Sequence, residues 1–376
     1  MHNVDCCIVN AIRRTILSSI PTVGFIVEPY EKDTCIIETN TSNIRSNEVL
    51  KHRLSNIPVN CSFTVPFKDS DMPSADDLIE NYELVINKVG AAGVDHTFIT
   101  TRDFVVRNKS TQEELTEEQR DNLFSLAPTN DGGSKASSEE KKRYYTQLAY
   151  LVPNAELKLR CAFSRIEAAS GVYRMASVCA YGCAIDEDAA QIAKETALHI
   201  QHEKIKAMAA TDEASSDDML ARFGHNWEML ERKRYIIPNE FVFRLRSILP
   251  IHTAAELLRI AIDLLLHKLD AFNPDEFILT LVPDTYNVYE YKWVGETFTL
   301  GSVLVHYLNE LEVYKSTIKF SCKQLHPHDS FISIRAICKF HEKSTLTSII
   351  PSNIVRRTVI EIKKTFGHLR HSLRNS

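Results

Sequence analysis

The chain has 376 residues, 44% of them hydrophobic and 25% charged, which is the composition of a globular protein with material for about two or three domains. A net charge of −5 gives no whole-protein case for binding nucleic acid. No run approaches the roughly eighteen apolar residues of a membrane span, and Arg13 and Arg14 stand where a signal peptide would carry its apolar stretch, so an intracellular protein is expected, or one packaged from inside a cell.

In chain order, Asn10 to Thr22 reads first as a short amphipathic helix. Ile8, Ala11, Ile12, Ile16 and Ile20 recur at three- and four-residue spacing, Asn10, Arg13, Arg14 and Ser18 fall largely on the other face, and Pro21 stops the helix. Taken alone it is an ordinary surface helix. Val23 to Val27 and Thr34 to Glu38 follow as strands joined by a charged, proline-containing turn. Asn40, Thr41, Ser42 and Asn43 make a polar turn, and Ser46 is placed to cap a helix through Leu54 that carries Glu48, His52 and Arg53.

From about Cys61 to Cys183 strands and irregular loops are expected, among them Tyr82 to Lys88, Thr97 to Val106, Leu151 to Cys161 and Met175 to Tyr181. Arg107 to Lys142, which contains Asp131 to Ser138, is too polar to bury and is expected to be mobile. Asp186 to Lys233 reads as helix with an acidic break at Thr211 to Asp218, and Glu240 to Arg246 alternates as a strand. Thr253 and Glu256 form a capping box for a helix with a wide apolar face that includes Leu257 and Leu265. After Asn273-Pro274 the order becomes strand, turn, strand, helix, strand, strand, long helix. Phe277 to Val282 and Phe331 to Cys338 are its clearest strands. Its first helix is expected to be capped at Thr299 and to place Leu300, Val303, Leu304, Tyr307, Leu308 and Leu311 on one side, while Val355, Val359, Ile362, Phe366 and Leu369 space out a narrow seam on the last.

Two stretches taken together, the Asn-Ala-Ile-Arg-Arg helix at Asn10 and Glu38-Thr-Asn-Thr-Ser-Asn continuing to Glu48-Val-Leu-Lys-His-Arg-Leu54, resemble the assembly subunits of multisubunit RNA polymerases. That family holds bacterial alpha, the archaeal D subunit and the third-largest subunit of polymerase II. Leu151-Val-Pro-Asn-Ala is similar to the family phrase L-x-P-G-Q, and Met175 to Tyr181 to its W-S-P-V-A strand. The basic, glycine-rich loop of the family is replaced by Ile166 to Tyr173, so that loop's contacts are not carried over. Phe298-Thr-Leu-Gly-Ser-Val-Leu304 resembles the H-T-L-G-N-x-L motif of the small alpha-like partner subunit, and Cys322 to Asp329 keeps part of its Y-x-x-P-H-P-L-E motif.

The resemblance implies an α+β fold of two alpha-like dimerisation units packed as a pseudo-heterodimer in one chain. Residues 1–60 with 234–272 would be the first unit, 61–185 an inserted β-rich domain, 186–233 a helical connector and 273–376 the second unit. It further implies a non-catalytic assembly platform whose partners are the two large catalytic subunits and smaller polymerase subunits, with DNA and RNA met only through the complex and no membrane. The interface residues it implies are Asn10, Arg13, Arg14, Ile16, Asn40, Thr41, Ser42, Glu48, His52, Arg53, Leu257, Leu265, Leu300, Gly301, Leu304, Val355, Val359, Ile362 and Phe366. Such fusions look like those of large nucleocytoplasmic DNA viruses, which would place the chain in the virion and host cytoplasm, or alternatively in the nucleus. A start upstream of Met1, or loss of the family's first strand, would explain why only five residues precede the first helix.

The chain lacks a phosphate loop, a D-x-D-x-D metal motif, H-E-x-x-H and G-x-S-x-G, so nucleotidyl transfer is assigned to other chains, with no catalytic residue or cofactor here. Nine scattered cysteines without C-x-x-C units read as reduced thiols. Cys179 with Cys183, and His326 with His328, read as structural rather than metal-binding. No cysteine lies between Cys61 and Cys161, so the four-cysteine cluster of many relatives is expected to be absent. The basic segment from Ser352 onward reads as a solvated helix face in preference to a nucleic-acid contact. The alternatives are a stand-alone alpha-like scaffold outside a polymerase and an enzyme with an unrecognised Cys/His site.

Overall fold

The computed structural model describes residues 1–66, 72–124, 145–168, 172–208, 213–283, 285, 287–312, 315–339 and 352–373. It is a mixed α+β molecule, 43% helix and 28% strand. Two compact units are present, one of residues 1–10 with 180–244, the other of residues 11–179 with 245–376.

The first helix, α1 (Cys6–Ser18), starts four residues before Asn10 because the Asp5 carbonyl accepts from the Ile8 and Val9 amides. Ala11, Ile12 and Ile16 are buried, as their spacing requires. Strand β1 (Pro21–Gly24) ends three residues before the expected Val27, since its partner, which begins at Ser164, runs out opposite Gly24. Strand β2 (Cys35–Asn40) leads to α2 (Asn47–Ser55), where the Ser46 hydroxyl accepts from the Val49 amide as its cap. Then come α3 (Ala75–Asn81), β3 (Tyr82–Val89), β4 (Thr97–Thr100), β5 (Val105–Asn108) and α4 (Glu117–Phe124). The stretch Thr97 to Val106 is therefore two strands separated by a 3-10 turn at Thr101–Asp103. Helix α4 corrects the expectation of a wholly unburied tract after Arg107, for it sinks Leu123 and Phe124 into the core. Asp131 to Ser138 lies outside the described residues.

Strands β6 (Gln147–Leu151), β7 (Glu156–Ala162) and β8 (Ser164–Glu167) follow. The four-stranded sheet runs β2-β7-β3-β5 with antiparallel neighbours throughout. Its inward row sets Cys35 beside Cys161 beside Leu84, and Ile37 beside Leu159 beside Ile86. One hydrophobic core holds these strands together with Leu50 and Leu54 of α2, Phe104, Phe124 and Leu148. The expected boundary at residue 61 falls within this core. Asn154, at the glycine position of L-x-P-G-Q, has φ of 64°, a left-handed conformation that asparagine tolerates better than most residues.

The same unit holds α7 (Ala254–Ala271), after the strands and helices of the smaller unit given below, with the capping box of Thr253 and Glu256 formed in both directions. Beyond it a second four-stranded sheet is ordered β11-β12-β14-β13, built from β11 (Thr280–Leu281), β12 (Val288–Val294), β13 (Ile318–Lys323) and β14 (Phe331–Cys338). Phe277 to Val282 is thus a strand only at its far end. Pro274–Glu276 forms a 3-10 turn, and the buried Phe277 ring packs 4.6 Å from Tyr291 instead of entering the ladder. Helix α8 (Phe298–Glu310) packs on β13 and β14, and the long α9 (Ser352–Ser372) packs on α8 and α7. The α8 cap is Thr297, whose hydroxyl accepts from the Thr299 amide, and not Thr299 itself.

In the smaller unit, α5 (Glu187–Met208) and α6 (Glu213–Met229) pack together, tied by Lys194 to Glu228. Part of β9 (Ala176–Ile185) and most of β10 (Ile236–Ser247) belong here, and these two strands pair. The segment before α1 runs beside β10, the Val4 amide donating to the Asn239 carbonyl and the Phe241 amide to that of Met1. It occupies the position of a strand without being one.

Candidate subunit interface

The residues implied by the resemblance separate into four groups. The first is the seam between α7 and α9. Leu257 and Leu265 on one helix, and Val355, Val359, Ile362 and Phe366 on the other, are all essentially inaccessible to solvent. Each such side chain is worth about 1.5–3 kcal/mol when fully buried. Three basic residues of α9 reach carboxylates on α7 and just beyond it. Lys363 Nζ lies 2.7 Å from Asp270 Oδ1, and Arg356 Nη2 donates to Asp275 Oδ2 at 2.8 Å. Arg370 meets Asp263 twice, through Nη2 at 3.3 Å and through a close but poorly aligned Nε contact at 2.7 Å. The expected solvated face holds at Arg356, which is exposed, while Lys363 and Arg370 are half-buried beside α7.

The second group is α8 together with α1, which meet at Thr299. Leu300, Gly301 and Leu304 are buried. A Cβ on Gly301 would run into the end of the Ile332 side chain and stand 2.9 Å from Cys322 Sγ, so glycine is what lets the helix approach β14 and β13 this closely. From α1, Ile16 is core, Asn10 is half-buried, and the two arginines differ. Arg14 Nε donates to Thr299 Oγ1 at 3.1 Å, joining α1 to the first turn of α8. Arg13 is half-buried, and its carbonyl accepts from the Cys179 thiol at 3.8 Å.

The third group is Asn40, Thr41 and Ser42, of which Asn40 and Ser42 bond within their own turn and Thr41 reaches β7. Asn40 Nδ2 donates to the Ile44 carbonyl, its Oδ1 accepts from the Ser42 hydroxyl, and Thr41 exchanges bonds with the Glu156 backbone. Together they shape the turn between β2 and α2 and fasten it to the start of β7. The fourth group, Glu48, His52 and Arg53, is exposed on α2 beside the half-exposed Val49. Glu48 and His52 line a 1160 Å³ cleft with Glu28, Tyr30, Lys51 and His328. His52 Nε2 sits 3.0 Å from Glu28 Oε1, Lys51 is paired with Asp33, and the Tyr30 side chain stands 87% exposed at the rim.

Four of the thiols are kept unreactive by burial. Burial pushes Cys7 and Cys61 up to about 12, and Cys179 and Cys322 up to about 11, so these four are protonated at neutral pH and are poor nucleophiles. His326 Nδ1 accepts from the His328 amide within a turn closed by Asp329. Among the described residues no group of three or more His, Cys, Asp and Glu side chains could hold a metal ion, and no helix is long and apolar enough to cross a membrane.

Sequence reasoning missed the acidic half of the α7–α9 contact. The signal was present in the bases, since Arg356, Lys363 and Arg370 stand seven residues apart, each directly after a seam position. It also missed the cleft, whose walls come from segments far apart in the chain. The chain matches no known family profile and no curated protein.

Proposed function

We propose that the chain is a non-catalytic assembly platform of a multisubunit DNA-directed RNA polymerase, in which two alpha-like units are fused. Residues 1–60 with 234–272 make the first, carrying the β-rich segment 61–185 and the connector 186–233, and residues 273–376 make the second. The observation that carries this reading is the pairing of α7 with α9, the long helices of the two halves, reinforced by the Arg14 bond to Thr299. Two alpha-like halves that pack on one another inside one polypeptide are what a fused heterodimer requires.

The motif glycines add physical support. Gly301 stands where a side chain would press on Ile332 and Cys322 as α8 approaches its sheet, and Asn154 takes the left-handed backbone at the other glycine position. The partners are the two large catalytic subunits and smaller polymerase subunits, with nucleic acid reached through them, in a virion and host cytoplasm. Glu48, His52 and Arg53 on the open face of α2, together with Arg13, are the residues offered for docking. Arg14 is committed to Thr299.

Affinity purification of the tagged chain from cells that produce the complex tests the reading. Recovery of two chains of polymerase-large-subunit size is expected. Recovery of the chain alone would favour a stand-alone scaffold and refute the proposal.

A further inference from the structure

Helices α7 and α9 pack in opposite directions, as their ion pairs record. Asp263 meets Arg370, Asp270 meets Lys363, and Asp275, just past the end of α7, meets Arg356, so acids advance along the chain as bases retreat. In all three pairs the acid comes from the α7 side and the base from α9. On α9 the seam repeats at four- and three-residue steps, and Arg356, Lys363 and Arg370 each directly follow a seam residue, Val355, Ile362 and Leu369. On α7, Asp263 and Asp270 likewise follow the buried Ile262 and Leu269. Charges in such flanking positions are the ones that decide which helices pair, in which direction and in which register.

Consider the pairings this arrangement rejects. A second copy of α9 laid antiparallel on the first in the same geometry would set Lys363 against Lys363 and Arg356 against Arg370. Two copies of α7 would set Asp263 against Asp270. Both like-with-like pairs bury a good apolar seam, so hydrophobicity alone does not exclude them, whereas juxtaposed like charges do. A shift of α9 by one heptad would leave its end base beyond an acid. We propose that the α7–α9 contact is charge-coded: carboxylates on α7 and cations on α9 select the acid-to-base pairing of the two halves and reject pairing of either helix with its own copy. This holds whether or not the chain docks polymerase subunits.

The test uses the full chain in three forms: Arg356→Glu with Lys363→Glu and Arg370→Glu; Asp263→Lys with Asp270→Lys and Asp275→Lys; and all six together. Each one-sided form should melt about 5 °C below the parent at low salt, with the gap narrowing in high salt, and the six-fold swap should recover most of the loss. In co-expression, the tagged first form should capture the untagged second, whose charges complement it, and not an untagged copy of itself. One-sided forms that melt with the parent would overturn the proposal. So would a six-fold swap no more stable than either one-sided form, or a tagged chain that captures its own kind as well as its complement.

Discussion

Replacing Arg14 with alanine separates two roles that the sequence assigns to both arginines alike. The guanidinium donates through Nε to Thr299 Oγ1 at 3.1 Å, and that oxygen also accepts from the Thr297 hydroxyl at 2.9 Å, so the bond ends in the cap of α8. A hydrogen bond to a charged group contributes about 1.5–3 kcal/mol where sheltered. Arg14 is only half-buried, which reduces that to about 1 kcal/mol, and lost packing of its stem adds a few tenths. An exposed helix arginine should stay within about 0.5 kcal/mol. Urea unfolding of Arg14→Ala, Thr299→Val and the double variant should give single losses near 1 kcal/mol and a coupling of about 0.5–1 kcal/mol. A coupling near zero with an Arg14→Ala loss below about 0.5 kcal/mol would mean the bond contributes nothing and that α1 is not anchored to the second half. Arg14 is therefore tied into the fold through Thr299, and docking is better tested at Glu48, His52, Arg53 and Arg13.

Gly90→Ala should cost more than Gly301→Ala, because a Cβ at Gly90 would overlap the Val152 backbone carbonyl while at Gly301 it meets side-chain ends that can shift; overpacking of the second kind costs about 1–3 kcal/mol, and thermal melts of the two variants rank them. His252 is buried with Nδ1 unpartnered among the described residues, and burial lowers its pKa against the weaker opposing pull of Glu256. Its folded form binds protons less readily than the unfolded chain does, so its share of stability is complete above about pH 6.5 and is lost as pH falls below that. His252→Gln should flatten that part of the stability profile, and an unchanged slope would sink the assignment. Fragments 1–272 and 273–376 should be insoluble when made separately and soluble when co-expressed, because the seam leaves each with an uncovered apolar helix; two well-behaved monomers would contradict this.

What was legible follows the range of the interactions. Ser46 and the Thr253–Glu256 box were read from the residues themselves because a cap is closed within three or four positions. At α8 two threonines two residues apart both fit, and only the backbone shows that Thr297 takes the capping geometry, freeing Thr299 to accept from Arg14. Helix α4 was hidden because composition averaged over a polar tract masks one apolar pair, Leu123 and Phe124. The pairing of β2 with β7 joins Cys35 to Cys161, and no local pattern identifies a strand's partner at that separation. The seam of α9 and the heptad spacing of its bases were in the sequence, whereas the carboxylates that answer them lie on and just beyond another helix.

The central claim is that one polypeptide does the work of two assembly subunits. Native mass spectrometry of the intact complex, purified through a tag on this chain, tests it most directly. The account predicts one copy of this chain for each pair of large subunits, with no separate small alpha-like subunit present. Two copies per complex, an additional small alpha-like chain, or this chain found only by itself would contradict it.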